Sequence, residues 1–277
     1  MISTRNLVSA QQTLLMPLWA RAMESKHRSP ILRDKKAVDI CRDLDFEFAE
    51  FESRNVDSVG YCVRASLIDT LVREFIDENP DGSVVEFGPG LDSRYERVAN
   101  ESVQWYEIEL PEAASLRQRF FEHSNRRRLI SGSIIDPDWR EIVSAAGHSK
   151  LMFVAEGVFY FLSRQELARL FSSLADVFPG SCIVFDAQSP LYLWYCNRRH
   201  PLRGSRLLWS MRRGEEVEGW DSRMKLTRYI GFGDRPHYGD HMNRFPWTTR
   251  LARLVCPPIR HFFKICQVQL GDRRTAA

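Results

Sequence analysis

The stretch Ser83–Val98, SVVEFGPGLDSRYERV, decides how the chain reads. A β-branched run, SVVEF, ends in Gly88-Pro89-Gly90, and a charged, helix-like segment follows. Two glycines let the backbone pass close to a ligand. In a doubly wound sheet, ligands bind outside the C-terminal ends of the strands, where the strand order reverses. If the ligand carries a ribose diol, an acid is expected about 20 residues later, at the end of the next strand. Glu109 stands there, with Glu107 as the alternative. Two ligands fit this pattern, a dinucleotide and S-adenosylmethionine. The pyrophosphate fingerprint asks for a third glycine, where this chain has Ser93, preceded by Asp92. A carboxylate so close to the helix start is unhelpful beside a pyrophosphate and tolerable beside a sulfonium and an ammonium.

Outward from this turn a regular alternation appears. VQWYEIEL, RRLISGS, LMFVAEG and SCIVFDA are strand candidates, and PEAASLRQRFFEH, DWREIVSAAG and Arg164 to Phe178 are helical. Ser163 and Glu166 form a capping box for the last of these, and Pro179-Gly180 stops it. Apolar strands alternating with helices predict a parallel sheet covered on both faces. Before the turn, Tyr61 to Asp77 is amphipathic, with Leu67, Ile68, Leu71, Val72, Phe75 and Ile76 on its apolar face. Arg64 shares that face and needs an anionic partner, because a buried unpaired charge is costly. Residues 1–58 read as a helical cap without a strand, containing a helix broken near Pro17 and a second in DKKAVDICRDL. After Asp186 the pattern changes to an aromatic- and arginine-rich segment. MKLTRYIGFG and HFFKICQVQLG are late strands, the second expected to close the sheet.

Bulk properties bound the function. The net charge of +3 over 277 residues argues against nucleic acid, which needs a dense basic patch. The run Arg126-Arg127-Arg128 reads as a solvated loop, and Arg94 and Arg97 as structural or solvated. No Cys-x-x-Cys pair or zinc-spaced His/Cys cluster occurs among the six cysteines, so no metal is expected. No apolar run approaches the roughly 20 residues of a membrane span, and the start lacks the features of a signal peptide. The plain reading is a soluble, cytoplasmic protein, binding neither nucleic acid nor membrane.

The motifs VVEFGPGLDSRYERV, WYEIELPE and FVAEGVFYFLS resemble, in order and spacing, those of the leucine carboxyl methyltransferase superfamily, which includes bacterial O-methyltransferases of polyketide biosynthesis. The resemblance covers about residues 20 to 187 and is faint beyond Gln188. It implies a class I, Rossmann-like fold: a mostly parallel sheet with a late antiparallel strand, helices on both faces and a helical N-terminal cap. The implied division is 1–58 for the cap and 59–277 for the S-adenosylmethionine domain, with an acceptor-pocket insertion at about 188–225. Arg64 would pair with the methionine carboxylate, Gly88 and Gly90 would pass under the cofactor, and Glu109 would hold the ribose. Ser133 and Ile134 would flank the adenine, and Glu156 would accept from the ammonium. The chain departs from the family pattern at Glu109, where aspartate is usual; at Ser133-Ile134, where Asp-Leu is frequent; and at Phe161, where the family tyrosine falls, with Tyr160 beside it.

The implied activity is O-methyl transfer to a carboxylate or hydroxyl of a small molecule of the polyketide-like kind. A carboxylate acceptor needs no general base, whereas a hydroxyl benefits from one. The base candidates are His200, His237 and His241, all after the fifth strand. Tyr160, and in YLWYCNRRH Tyr192 with Trp194, offer an aromatic wall, and Arg198, Arg199 and His200 polar contacts to the acceptor. The competing readings are an NAD(P)-dependent oxidoreductase and a non-catalytic methyltransferase-like binding subunit.

Overall fold

The computed structural model describes residues 2–3, 14–48, 51, 58–199, 206–231, 234, 238–255 and 262–271. Seven strands form one sheet: β1 (Ser83–Phe87), β2 (Gln104–Glu109), β3 (Arg127–Ser131), β4 (Leu151–Ala155), β5 (Ser181–Gln188), β6 (Met224–Gly231) and β7 (Phe263–Leu270). Their order is β3-β2-β1-β4-β5-β7-β6. The first five run parallel, and β7 is antiparallel to both β5 and β6. The last strand therefore completes the sheet by inserting between β5 and β6, and β6 takes the edge. The order reverses between β1 and β4, so a crevice opens above the ends of these two strands.

Every residue of β1, β4 and β5 is buried, because helices cover both faces. Alternate residues serve opposite cores. Val85, Phe87 and Phe153 pack with α7 (Arg164–Val177), while Val84, Met152 and Val184 pack with α3 (Ser58–Glu78). The capping box of α7 is formed: the Ser163 hydroxyl accepts from the Glu166 amide, and the Glu166 carboxylate accepts from the Ser163 amide. A third cluster joins α1 (Leu15–Glu24) and α2 (Lys35–Asp43) to α3 through Leu15, Leu18, Ile40, Cys62 and Ala65.

Three local expectations are corrected. α1 is not broken at Pro17, which sits in its first turn, where a missing N–H costs nothing. A two-residue parallel pairing, Ile2–Ser3 with Leu44–Asp45, occurs in the segment expected to lack strands. Arg127 and Arg128 open β3, as the strand candidate RRLISGS has it, but Arg127 is not solvated: it is buried, its guanidinium donates to Glu107 and Glu96, and it lies over Tyr95. Arg94 is fully buried, so of its two sequence readings only the structural one stands. Among the described residues no helix is long and apolar enough to cross a membrane, and no group of metal-ligating side chains occurs.

Register explains where the functional side chains meet. Phe87 pairs with Ile108 of β2 and Ala155 of β4, and Ala155 pairs with Phe185 of β5. The residues just beyond, Gly88, Glu109, Glu156 and Asp186, are thus brought to one edge of the sheet. The remaining helices, α4 (Arg94–Val98), α5 (Pro111–Arg117), α6 (Asp138–Ser144), α8 (Pro190–Arg199) and α9 (Trp247–Val255), complete the layers and the late segment.

Candidate active site

The turn after β1 is built from two left-handed glycines, Gly88 at φ 55° and Gly90 at φ 54°. Neither tolerates a side chain. A Cβ at Gly88 would lie 2.7 Å from Val158, and one at Gly90 2.6 Å from Leu14 at the start of the cap. The Gly90 amide donates to Glu109 Oε2 at 2.7 Å, and the Leu110 amide to Oε1 at 2.9 Å. Burial pushes the Glu109 carboxyl up despite these two donors. Glu107, the alternative acid, is fully buried and takes a two-pronged bond from Arg117 at 2.7 Å on each oxygen. The same Arg117 reaches the carbonyls of Gly90 and Asp92. Glu107 is therefore committed to anchoring the turn, and Glu109 is the acid left facing the crevice.

A cavity of about 480 Å³ lies over the turn. Arg64, Gly88, Glu109, Ser133, Ile134 and Glu156 all line it. Gly90 acts beside it, through its amide. Arg64 donates from Nε to Glu156 at 2.9 Å and from Nη1 to Asp186 at 2.8 Å, and among the described residues no hydrogen bond holds Nη2. The Gly157 amide and the Tyr160 hydroxyl also donate to Asp186. Tyr160 is buried, and its neighbour Phe161 lines the cavity instead.

The acceptor-side expectations fare differently. Tyr192 packs its ring 4.4 Å from that of Phe263, and Arg198 lies over the exposed Trp194. Neither lines the cavity, because α8 turns these side chains elsewhere. The side chain of Arg199, and His200 and His237, lie outside the described residues. His241 sits half-buried in the turn Tyr238–Arg244, away from the cavity lining. The five described cysteines are free, and burial pushes Cys62, Cys182 and Cys266 up to about 12, which makes them poor nucleophiles.

Several cavity residues have no counterpart in the sequence reading: Leu14, Pro17 and Arg21 from the cap, Glu86 within β1, and Arg206 at the rim. Asp186, which fixes Arg64, also went unread. A lone charge ending the apolar run IVF was the available signal for Asp186, and a charge inside VVEF the signal for Glu86.

The donor set suits a zwitterionic nucleoside better than a pyrophosphate. One guanidinium edge is open, one acid stands at the level of a diol, and the floor is rich in carboxylates. Such a set would hold S-adenosylmethionine through Arg64, Glu109 and Glu156, with Ile134 as the apolar surface.

Comparison with known proteins points to the same donor. The family model for leucine carboxyl methyltransferase matches residues 14–175. The chain is 26% identical over 240 residues to the tetracenomycin polyketide synthesis O-methyltransferase TcmP of Streptomyces glaucescens, covering 86% of this chain and 88% of the relative. It is 25% identical over 234 residues to the S-adenosyl-L-methionine-dependent methyltransferase dpfgK of Gibberella zeae, covering 76% and 78%. A crystal structure of a SAM-dependent methyltransferase from Anabaena variabilis superposes with a TM-score of 0.50 at 10% identity, over 76% of this chain and 85% of that one. Fold and relatives together define the class, an S-adenosylmethionine-dependent methyltransferase. Within that class, the chain belongs to the leucine carboxyl methyltransferase family.

Proposed function

We propose that this protein transfers the methyl group of S-adenosylmethionine to an oxygen of a small molecule, with a carboxylate oxygen as the acceptor that suits the cavity best. The observation that carries this reading is the convergence of Arg64 and Glu109 on either side of the Gly88 turn, in one cavity. When bound, the donor supplies an electrophilic methyl carried on a sulfonium. Arg64, with Nε and Nη1 locked on two carboxylates, presents Nη2 to the donor's carboxylate. Glu109, fixed by two backbone amides, accepts from the ribose hydroxyls. Glu156 accepts from the ammonium. Rigid placement of this kind is how a positioned site lowers the barrier to an in-line displacement.

The choice of oxygen follows from the groups at hand. None of the described histidines lines the cavity, and its carboxylates are tied to guanidiniums or amides except for one oxygen of Glu86, which is buried in the floor out of contact with solvent. A hydroxyl acceptor would need a base that these residues do not offer. A carboxylate is already an anion at neutral pH and needs none. Arg206, exposed at the rim and without an ion pair among the described residues, supplies a cation to receive it. Leu14, Pro17, Phe161 and Leu162 provide an apolar wall that excludes water. The similarity to TcmP supports oxygen as the acceptor atom and a polyketide-like skeleton as its carrier.

The test uses donor labelled in the methyl group with a panel of aromatic and aliphatic acids and phenols. The account expects labelled product from acids, with the label released as methanol by mild base, as esters release it. Base-stable label on phenols alone would contradict the choice of carboxylate. No transfer to any acceptor, with donor bound, would favour a binding subunit.

A further inference from the structure

The site sits on an unbalanced cluster of charges. Arg21, Arg64, Arg94 and Arg97 interleave with Asp34, Asp69, Glu86, Asp92, Glu156 and Asp186. These side chains are all at least nine-tenths buried. There are two more carboxylates than guanidiniums. Most of the acids are well served. Asp69 is gripped by both Arg94 and Arg97. Burial alone would raise Asp92, but Arg21, Arg97 and Arg94 hold it well below the usual carboxylate range.

Glu86 is the exception. It is 2% exposed and lines the cavity floor. One oxygen accepts from Arg94 Nη1 at 2.8 Å, and the other, Oε2, is buried without any hydrogen-bond partner. The charged groups around it come from every side: Arg94 from α4, Asp92 from the turn, Glu107 from β2 and Arg117 from α5. Asp69 of α3 and Glu156 beyond β4 compete with it for the same Arg94. Burial comes first in pushing its carboxyl up to about 7. Asp92 and Glu107 add to that push, against Arg94 and Arg117.

We propose that Glu86 carries a proton in the donor-free protein and surrenders it to solvent when a cationic donor enters the cavity, so that donor binding and proton release are one coupled event. The inference rests on the reading of the site given under Proposed function. With one oxygen bare and its single guanidinium shared with Asp69, Asp92 and Glu156, the carboxylate form of Glu86 is poorly held in this box. The donor brings two cationic groups and one anionic group, a net positive charge, into a cluster short of positive charge. The ionised form of Glu86 is then favoured, and its proton passes to the buffer. No histidine among the described residues lines this cavity to titrate in its place.

The linkage has a definite sign. Below about pH 7 the empty site must lose a proton to bind, so donor affinity rises about tenfold per pH unit there and levels off above it. Calorimetric titration of the whole protein with S-adenosylmethionine, in buffers of different ionisation heat, counts the protons. At pH 6 close to one proton is expected to leave per donor bound, declining toward zero by pH 8. Glu86→Gln should bind with no release and a flat pH profile. Should that variant fail to fold, the infrared carbonyl band of a protonated carboxyl must vanish on saturating donor addition at pH 6 both in the wild-type protein and in Glu109→Gln, which removes the other cavity carboxyl that burial pushes up; a band lost in the wild type but absent from Glu109→Gln would assign the proton to Glu109 and overturn the proposal. Binding heat independent of the buffer, or the same release in Glu86→Gln, overturns the proposal while leaving the donor site intact. No binding heat at all overturns both.

Discussion

Arg94 is the residue on which the site's geometry turns. Its side chain is fully buried and meets Asp69, Glu86, Asp92 and Glu156, which come from three separate stretches of chain. Removing one partner from buried ion pairs strands the others, and costs about 3–5 kcal/mol. Arg94→Ala is therefore expected to lower stability by about that amount in urea unfolding. Arg94→Lys is expected to restore little, since an ammonium cannot span the fork that Nε, Nη1 and Nη2 fill. A loss under about 1 kcal/mol, the size of an exposed pair, would show that the network is not what holds the floor. At this scale the sequence was legible where a charge broke an apolar pattern. Arg64 on a helical stripe and Glu109 at a strand end could both be read that way. Arg94 and Arg97 could not, because their partners Asp34 and Asp69 lie on α2's cap and on α3, far away in the chain.

The element that defines the site is the Gly88-Pro89-Gly90 turn, and its glycines answer to packing as much as to a ligand. Gly90 lies directly under Leu14, and Arg21 of α1 donates to the Leu91 carbonyl. The cap and the turn are thereby one construction. Gly90→Ala must adopt a left-handed φ and displace Leu14, so a loss of about 1–3 kcal/mol is expected, seen as a lower melting temperature. Donor binding should weaken with it, because the Gly90 amide would no longer present to Glu109. An alanine variant with unchanged melting and donor affinity would mean that the turn is looser than described. Strands and helices of the alternating region were legible from the change of hydrophobic period. Their ends were less so: the helix after β2 stops at Arg117, and Phe120 and Phe121 beyond it pack as non-helical chain into the core shared with α1 and α2. The arginine run at the start of β3 reads as solvated because nothing local shows that Arg127 finds the buried carboxylate of Glu107.

At the scale of the molecule, sheet order does the assembly. Switching direction between β1 and β4 opens the crevice, and strand register delivers Gly88, Glu109, Glu156 and Asp186 to its edge. The parallel half of this plan was readable from apolar strands separated by helices. The insertion of β7 beside β5 was not, since strand order among the last strands depends on which edge is left uncovered. The acceptor side was least legible. The segment after Asp186 carries aromatic and basic residues without a period, and its Tyr192 and Arg198 turn away from the cavity that Arg206 borders. The central claim is that this cavity holds S-adenosylmethionine between Arg64 and Glu109. Calorimetric titration with that donor at pH 8, on the wild-type protein and on Arg64→Ala and Glu109→Ala, tests it most directly. The account predicts one site per chain, weakened at least about tenfold in each variant, the loss of one charge-assisted bond. Binding of equal strength in all three proteins, or none in the wild type, would contradict it.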